Sequence, residues 1–218
     1  SLRDGYMQLY SYNVENEKIA RLVDTVDGKH ARQASWSPDG KKIAFTYSSQ
    51  GNSDIYVMNS EGGNWKKLTN NPAIESSPSW SPTGNQMAFT SDRSGNPQIY
   101  LMDVEGVNVR RLTFEGKYND SPGWSPRGDL IAFASRDEGR FQIYTIDPNG
   151  QNLSRVTDGY GNNENPSWSP DGLKIAFASD RDGGWDIYII NWDGTGLRRL
   201  TLSGQNVIPD WSPRLHPY

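Results

Sequence analysis

The 218-residue chain contains no cysteine and only two histidines, His30 and His216. Without thiols it forms no disulfide, no thiolate nucleophile and no cysteine-based zinc site, in either a reducing or an oxidising compartment. Two histidines are too few to build a two-histidine metal site or a Ser-His-Asp triad with any freedom of choice. Gly-x-Ser-x-Gly, P-loop and Gly-x-Gly-x-x-Gly signatures are missing as well, so no enzyme activity is expected. There is no run of eighteen apolar residues, which excludes a membrane-spanning helix; no membrane insertion is expected. Charge of one sign is also scarce: 22 basic residues face 26 acidic ones, for a net charge of −4, with no long block of either. Nucleic-acid binding through a basic face is therefore not expected. The opening Ser1-Leu2-Arg3-Asp4 has neither a basic n-region nor an apolar h-region, so no signal peptide is expected within this chain.

What the chain does have is 22 Gly, 13 Pro, 8 Trp and 11 Tyr, with only 34% hydrophobic residues. That profile suits many short strands joined by tight turns and argues against long helices. The tripeptide Trp-Ser-Pro begins at Trp36, Trp80, Trp124, Trp168 and Trp211, at intervals of 44, 44, 44 and 43 residues. A period of this length marks a repeat architecture.

One unit reads Ser167-Trp168-Ser169-Pro170-Asp171-Gly172, then Ile175-Ala176-Phe177, Ser179-Asp180-Arg181-Asp182-Gly183, Asp186-Ile187-Tyr188 and Arg198-Arg199-Leu200-Thr201. Ser-Pro-Asp-Gly is a β-turn: proline presets φ, aspartate bonds its own backbone and glycine accepts a positive φ. Ile43-Ala44-Phe45, Met87-Ala88-Phe89, Ile131-Ala132-Phe133 and Ile175-Ala176-Phe177 are short apolar runs bounded by turns, as buried strands are. Ile55-Tyr56, Ile99-Tyr100, Ile143-Tyr144 and Ile187-Tyr188 mark the next strand, with Leu9-Tyr10 as an N-terminal version. Counted from each Trp, about four antiparallel strands fill a period, which is one propeller blade.

This composite motif resembles the WD40-like propeller repeat of the TolB C-terminal domain family over essentially the whole chain. The resemblance implies a bacterial β-propeller, commonly six-bladed, in a periplasmic or extracellular setting. Here there are five Trp-Ser-Pro units. Residues 1–10 align with Ser91–Tyr100, so the chain starts inside a blade and ends inside one. We expect residues 1–218 to form one domain, an all-β five-bladed propeller whose closing blade is shared between the N- and C-terminus. Its weak point is the Ile-Ala-Phe strand that the closing blade lacks. The competing reading is an excerpt of a larger propeller.

Residues four and five before each Trp are expected at one mouth of the central channel. Arg32, Glu75, Asn119, Asp120, Asn163, Glu164 and Asn206 are therefore the candidate ligand or partner contacts. Glu75, Asp120 and Glu164 form a candidate cation site; no other cofactor is expected. Tyr6, Phe141 and Trp185 do not recur between blades and are candidate aromatic contacts. Asp92-Arg93, Arg136-Asp137 and Asp180-Arg181 recur with the blades and read as turn-stabilising pairs. The expected role is a non-catalytic, monomeric scaffold binding a protein or peptide. Carbohydrate binding is one alternative; a propeller severed from a larger hydrolase or lyase is another.

Overall fold

The computed structural model describes residues 2–3, 6–25, 28–137 and 139–212. Among them every regular element is a β-strand. At the N-terminal side β1 (Leu2–Arg3) pairs with β2 (Tyr6–Met7), and β3 (Tyr10–Asn13) pairs with β4 (Lys18–Arg21). Four four-stranded antiparallel sheets follow. The first holds β5 (His30–Trp36), β6 (Lys42–Ser49), β7 (Asn52–Asn59) and β8 (Lys66–Lys67). The second holds β9 (Glu75–Trp80), β10 (Gln86–Ser91), β11 (Gln98–Asp103) and β12 (Arg110–Arg111). The third holds β13 (Tyr118–Trp124), β14 (Ile131–Asp137), β15 (Arg140–Ile146) and β16 (Ser154–Arg155). The fourth holds β17 (Asn163–Trp168), β18 (Lys174–Ser179), β19 (Asp186–Asn191) and β20 (Arg198–Arg199).

The first four Trp-Ser-Pro tripeptides lead into the expected turn, and the turn after Trp211 lies outside the described residues. After Trp36, Gly40 N donates to the Ser37 carbonyl at 2.9 Å and Lys41 N to Asp39 Oδ1 at 3.1 Å, with Gly40 at φ 68°. The Ile-Ala-Phe strands then alternate faces, as strand geometry requires. Ala44 packs forward against Met87 and Phe89 of the second blade, whereas Ile43 and Phe45 pack backward with Leu9, Leu22 and Val23. The core is thus a set of seams between successive blades, and the Trp80 and Trp168 indoles bond across them, whereas that of Trp124 bonds to Gly128 of its own blade. Trp80 Nε1 donates to the Ser35 carbonyl at 3.1 Å and Trp168 Nε1 to that of Gly123 at 2.9 Å, one blade back in each case.

The expected five-bladed ring closed by both termini is overturned: four blades are complete, and no sheet among the described residues contains strands from both ends. Strands β3 and β4 do keep the register of an outer strand pair. Leu22 N donates to the Leu9 carbonyl at 2.9 Å, as Leu112 N does to that of Ile99 at 2.8 Å. The C-terminal strand is what fails to form. In a complete blade the innermost strand finds its ladder only on the Ile-Ala-Phe strand of the same blade. Among the described residues no such strand follows Trp211, and residues 202–212 form no ladder; they are held by an isolated Trp185–Gln205 bridge and by the Trp211 indole on the Ser167 carbonyl.

Candidate functional site

The innermost strands β5, β9, β13 and β17 share one irregularity: a bulge opens three and two residues before the Trp. Two residues there oppose a single residue on the neighbouring strand, which bends the chain and re-aims its side chains. The first of the two lies in the left-handed region in every blade: Gln33 (φ 52°), Ser77 (53°), Ser121 (56°) and Asn165 (55°). None is glycine, so the backbone is strained there, least at Asn165, since asparagine tolerates the left-handed region. Ala34, Pro78, Pro122 and Pro166 follow. These pairs converge on an open funnel of about 510 Å³, with Met7 and Ile208 on its wall.

A hydrogen-bonded belt joins the bulges around the funnel. Gln33 Nε2 donates to Ser77 Oγ at 2.8 Å, and Ser77 Oγ donates to Asp120 Oδ1 at 3.4 Å. Thr90 Oγ1 and Ser121 N also converge on Asp120 Oδ1, at 2.8 and 2.6 Å. Asn165 Nδ2 then reaches the Val207 carbonyl at 2.8 Å. A belt already bonded within the chain gives the funnel fixed walls, at which binding costs little side-chain ordering.

The candidates read from sequence divide between two places. Arg32 is exposed and lines the funnel. Asp120 and Glu164 are half-buried beside it; burial first, then the Asp180 and Asp120 carboxylates, push the Glu164 carboxyl up. Glu75, Asn119 and Asn163 are instead fully buried, away from the funnel lining. Glu75 Oε1 accepts from Ser91 Oγ and Arg93 Nη2, both at 2.9 Å, while burial pushes the carboxyl up against the pull of Arg93. Asn206 is half-buried and donates to Asp186 Oδ1 at 3.2 Å. Among the described residues no group of three or more His, Asp or Glu side chains is placed to hold a metal ion. The ring formed by Gln33, Ser77, Ser121 and Asn165 was not among the sequence candidates. A usable signal was the proline two residues before the Trp, at Pro78, Pro122, Pro166 and Pro209, because proline cannot donate to a ladder.

Of the aromatic candidates, Phe141 packs edge-on against Tyr118 with ring centroids 5.5 Å apart. Trp185 is half-buried, and its carbonyl accepts from Asn206 N at 2.8 Å. The side chain of Tyr6 lies outside the described residues. Trp65, which also breaks the repeat pattern, stands edge-on to Phe45 at 5.0 Å and to Tyr47 at 5.4 Å.

The family model of the TolB beta propeller domain matches residues 1–143 and 121–216. The chain belongs to the TolB beta propeller family. The crystal structure of TolB from Acinetobacter baumannii superposes with a TM-score of 0.84 at 30% identity, covering 95% of this chain and 52% of that one. A putative TolB from Agrobacterium tumefaciens superposes with a TM-score of 0.69 at 26% identity, covering 93% of this chain and 92% of that one. The Tol-Pal system protein TolB of Anaeromyxobacter dehalogenans is 43% identical over 80 residues, which is 36% of this chain but 17% of that relative. The match thus spans about a sixth of that relative's length, and about half of the Acinetobacter TolB. These relatives make the chain a bacterial, TolB-like β-propeller.

Proposed function

We propose that this chain is a non-catalytic protein- or peptide-binding propeller that holds its partner at the funnel, in a periplasmic or extracellular setting. The observation that carries this reading is the funnel itself. It has rigid belt-bonded walls and an apolar rim on which Met7 and Ile208 are 43% and 79% exposed. Exposed apolar side chains beside fixed polar groups suit a polypeptide, which brings apolar side chains and backbone hydrogen-bonding groups together. Membership of the TolB family supports the reading, since a relative is named as a component of the Tol-Pal system.

Selection of a displayed random-peptide library against the full chain tests the proposal. Enriched peptides are expected to lose at least about tenfold in affinity on Ile208→Asp, which puts a charge in the apolar rim, and several-fold on Asn165→Ala. Peptides that bind both variants as they bind the parent chain would remove the funnel from consideration.

A further inference from the structure

Blades two and four each use an arginine of their own to fill an aromatic frame. Arg93 Cζ lies 5.6 Å from the Phe89 ring and 5.0 Å from that of Tyr100; its Nε donates to Ser91 Oγ and its Nη2 to Glu75 Oε1. Arg181 repeats this at 5.7 Å from Phe177 and 5.0 Å from Tyr188, with Nε on Ser179 Oγ and Nη2 on Asn163 Oδ1 at 2.7 Å. Blade one fills the same place with rings, Tyr47 and Trp65 standing 5.4 Å apart against Tyr56.

Blade three keeps the frame and lacks the filler. Phe133 and Tyr144 lie 6.1 Å apart at 25°, against 6.0 Å and 24° for Phe177 and Tyr188. Asn119 and Ser135 are register partners, as Asn163 and Ser179 are. The sequence, however, reads Ser135-Arg136-Asp137 where the neighbouring blades read Ser-Asp-Arg. The arginine arrives one residue early, and strand alternation sends it to the opposite face. There its Cζ lies 5.3 Å from the Tyr118 ring and 5.5 Å from that of Phe141.

A cavity of about 130 Å³ is left, lined by Asn119, Phe133, Ser135 and Tyr144, with the exposed Phe114 and Glu115 at its edge. Asn119 is fully buried, and its Nδ2 donates to Gln98 Oε1 and to the Glu115 carbonyl, both at 2.8 Å. Both partners are acceptors, which fixes the amide's orientation and aims Oδ1 the other way. Oδ1 has no hydrogen-bond partner, and it is the atom that in blade four accepts from Arg181. Gly116 (φ 78°) keeps the acceptors open, because a Cβ there would lie 2.6 Å from Ser135 Oγ and 3.0 Å from Asn119 Oδ1.

We propose that this third-blade cavity is a guanidinium site that takes the arginine side chain of a polypeptide partner. Two aromatic faces attract a cation, and the planar guanidinium fork reaches two acceptors at once, which the compact and strongly hydrated lysine ammonium does not. Glu115 adds a carboxylate at the mouth, and Phe114, whose ring is covered on one side by the Arg111 guanidinium at 4.9 Å, leaves its other face as an apolar shelf for a residue flanking the arginine. The guanidinium chemistry stands by itself; its polypeptide source rests on the binding reading above.

Calorimetric titration of the full chain with N-acetyl-arginine amide, the lysine and citrulline analogues, and a short peptide with phenylalanines flanking one arginine tests this. Saturable arginine binding is expected, at least about tenfold tighter than for citrulline or lysine, and reduced about tenfold in Ser135→Ala by loss of one charge-assisted hydrogen bond. The double variant Arg136→Asp/Asp137→Arg restores the Ser-Asp-Arg order, fills the cavity from within and is expected to abolish binding while raising the melting temperature. Equal responses to the three amides, or arginine binding untouched in both variants, overturns the site. A flanked peptide no tighter than the amide overturns the polypeptide source. Because the amides require no funnel, either outcome can occur while funnel-binding peptides behave as proposed, so the two readings fail separately.

Discussion

Trp80 donates its indole N–H to the Ser35 carbonyl at 3.1 Å, a side-chain bond across the seam between the second blade and the first. Trp80 is 8% exposed inside that seam, whereas Trp36, its counterpart in the first blade, is 52% exposed because no inner strand precedes it among the described residues. The same tripeptide therefore carries different energetic weight in the two blades. Trp80→Phe, which keeps most of the packing and loses the bond, is expected to cost about 1–2 kcal/mol, and Trp80→Ala about 3–5 kcal/mol. Trp36→Phe is expected to stay within about 0.5 kcal/mol. Urea midpoints for the three variants decide the matter, and a Trp36→Phe penalty matching that of Trp80→Phe would contradict the seam account.

A second seam contact is made by backbone alone. Gly106, at φ 84°, turns between β11 and β12 with its Cα pressed against the first blade, so that a Cβ would sit 2.3 Å from the Leu68 carbonyl oxygen. Gly95, at φ 98°, has open space where its Cβ would be. Gly95→Ala isolates the conformational cost, about 1–2 kcal/mol. Gly106→Ala adds a clash with backbone that cannot swing aside, and is expected to cost at least about 1 kcal/mol more. The difference between the two unfolding free energies measures how rigidly neighbouring blades abut, and equal penalties would mean that the seam yields.

Two buried carboxylates give the stability opposite dependences on pH. Asp186 accepts from Thr201 Oγ1 at 2.8 Å, Arg199 Nη2 at 2.5 Å, Gly204 N and Asn206 Nδ2. Burial opposes its charge, but these donors hold the carboxyl down to about 2, from an ordinary 3.8. A carboxyl with a lower pKa folded than unfolded binds fewer protons when folded, so its contribution is complete above 3.8 and drains away as pH falls toward 2. Glu75 has the reverse sign: burial raises its pKa above 4.5, so its contribution is present below that value and is lost as pH rises through the folded one. In denaturant titrations at a series of acid pH values, Asp186→Asn is expected to flatten the loss between pH 3.8 and 2 and to lower stability at neutrality by stranding Arg199. Glu75→Gln is expected to remove the opposing slope above pH 4.5 while leaving the Asp186 window intact. An unchanged acid limb in Asp186→Asn would assign that limb to other carboxylates.

The blade was legible because its signals are local. Ser-Pro-Asp-Gly encodes a turn, Ile-Ala-Phe a buried strand, and their 44-residue spacing the repeat. Both shortfalls arise where a neighbour decides. Position relative to the Trp put Glu75 and Asn119 at the channel mouth, but a bulge lies between them and the Trp; they are buried in the blade, and Ser77 and Ser121 line the funnel. The closing blade failed because the segment before Trp211 needs a second strand to pair with, and a pattern match at one strand says nothing about its partner. Arg136 is the subtlest instance. Read as one more turn pair, Arg136-Asp137 looks equivalent to Asp92-Arg93, yet exchanging the two residues moves a guanidinium across the sheet and empties a site that two other blades fill with arginine.

The strain at the bulges is itself measurable. Ser121 holds φ 56° with little side-chain return, since its Oγ reaches Asn165 Oδ1 only at 3.5 Å. The left-handed region costs an ordinary residue about 1–2 kcal/mol, costs glycine almost nothing and penalises β-branched side chains most. Ser121→Gly is therefore expected to stabilise the fold by up to about 1 kcal/mol, reduced by glycine's greater freedom when unfolded, and Ser121→Val to destabilise it by at least about 2 kcal/mol. Ser77→Gly breaks the ranking, because Ser77 Oγ accepts from Gln33 at 2.8 Å and donates to Asp120, so removing the hydroxyl opens the belt while relieving the same strain. Thermal denaturation of the three variants separates the effects. If Ser77→Gly stabilises as much as Ser121→Gly, the belt contributes nothing to holding the funnel, and the bulges alone set its shape.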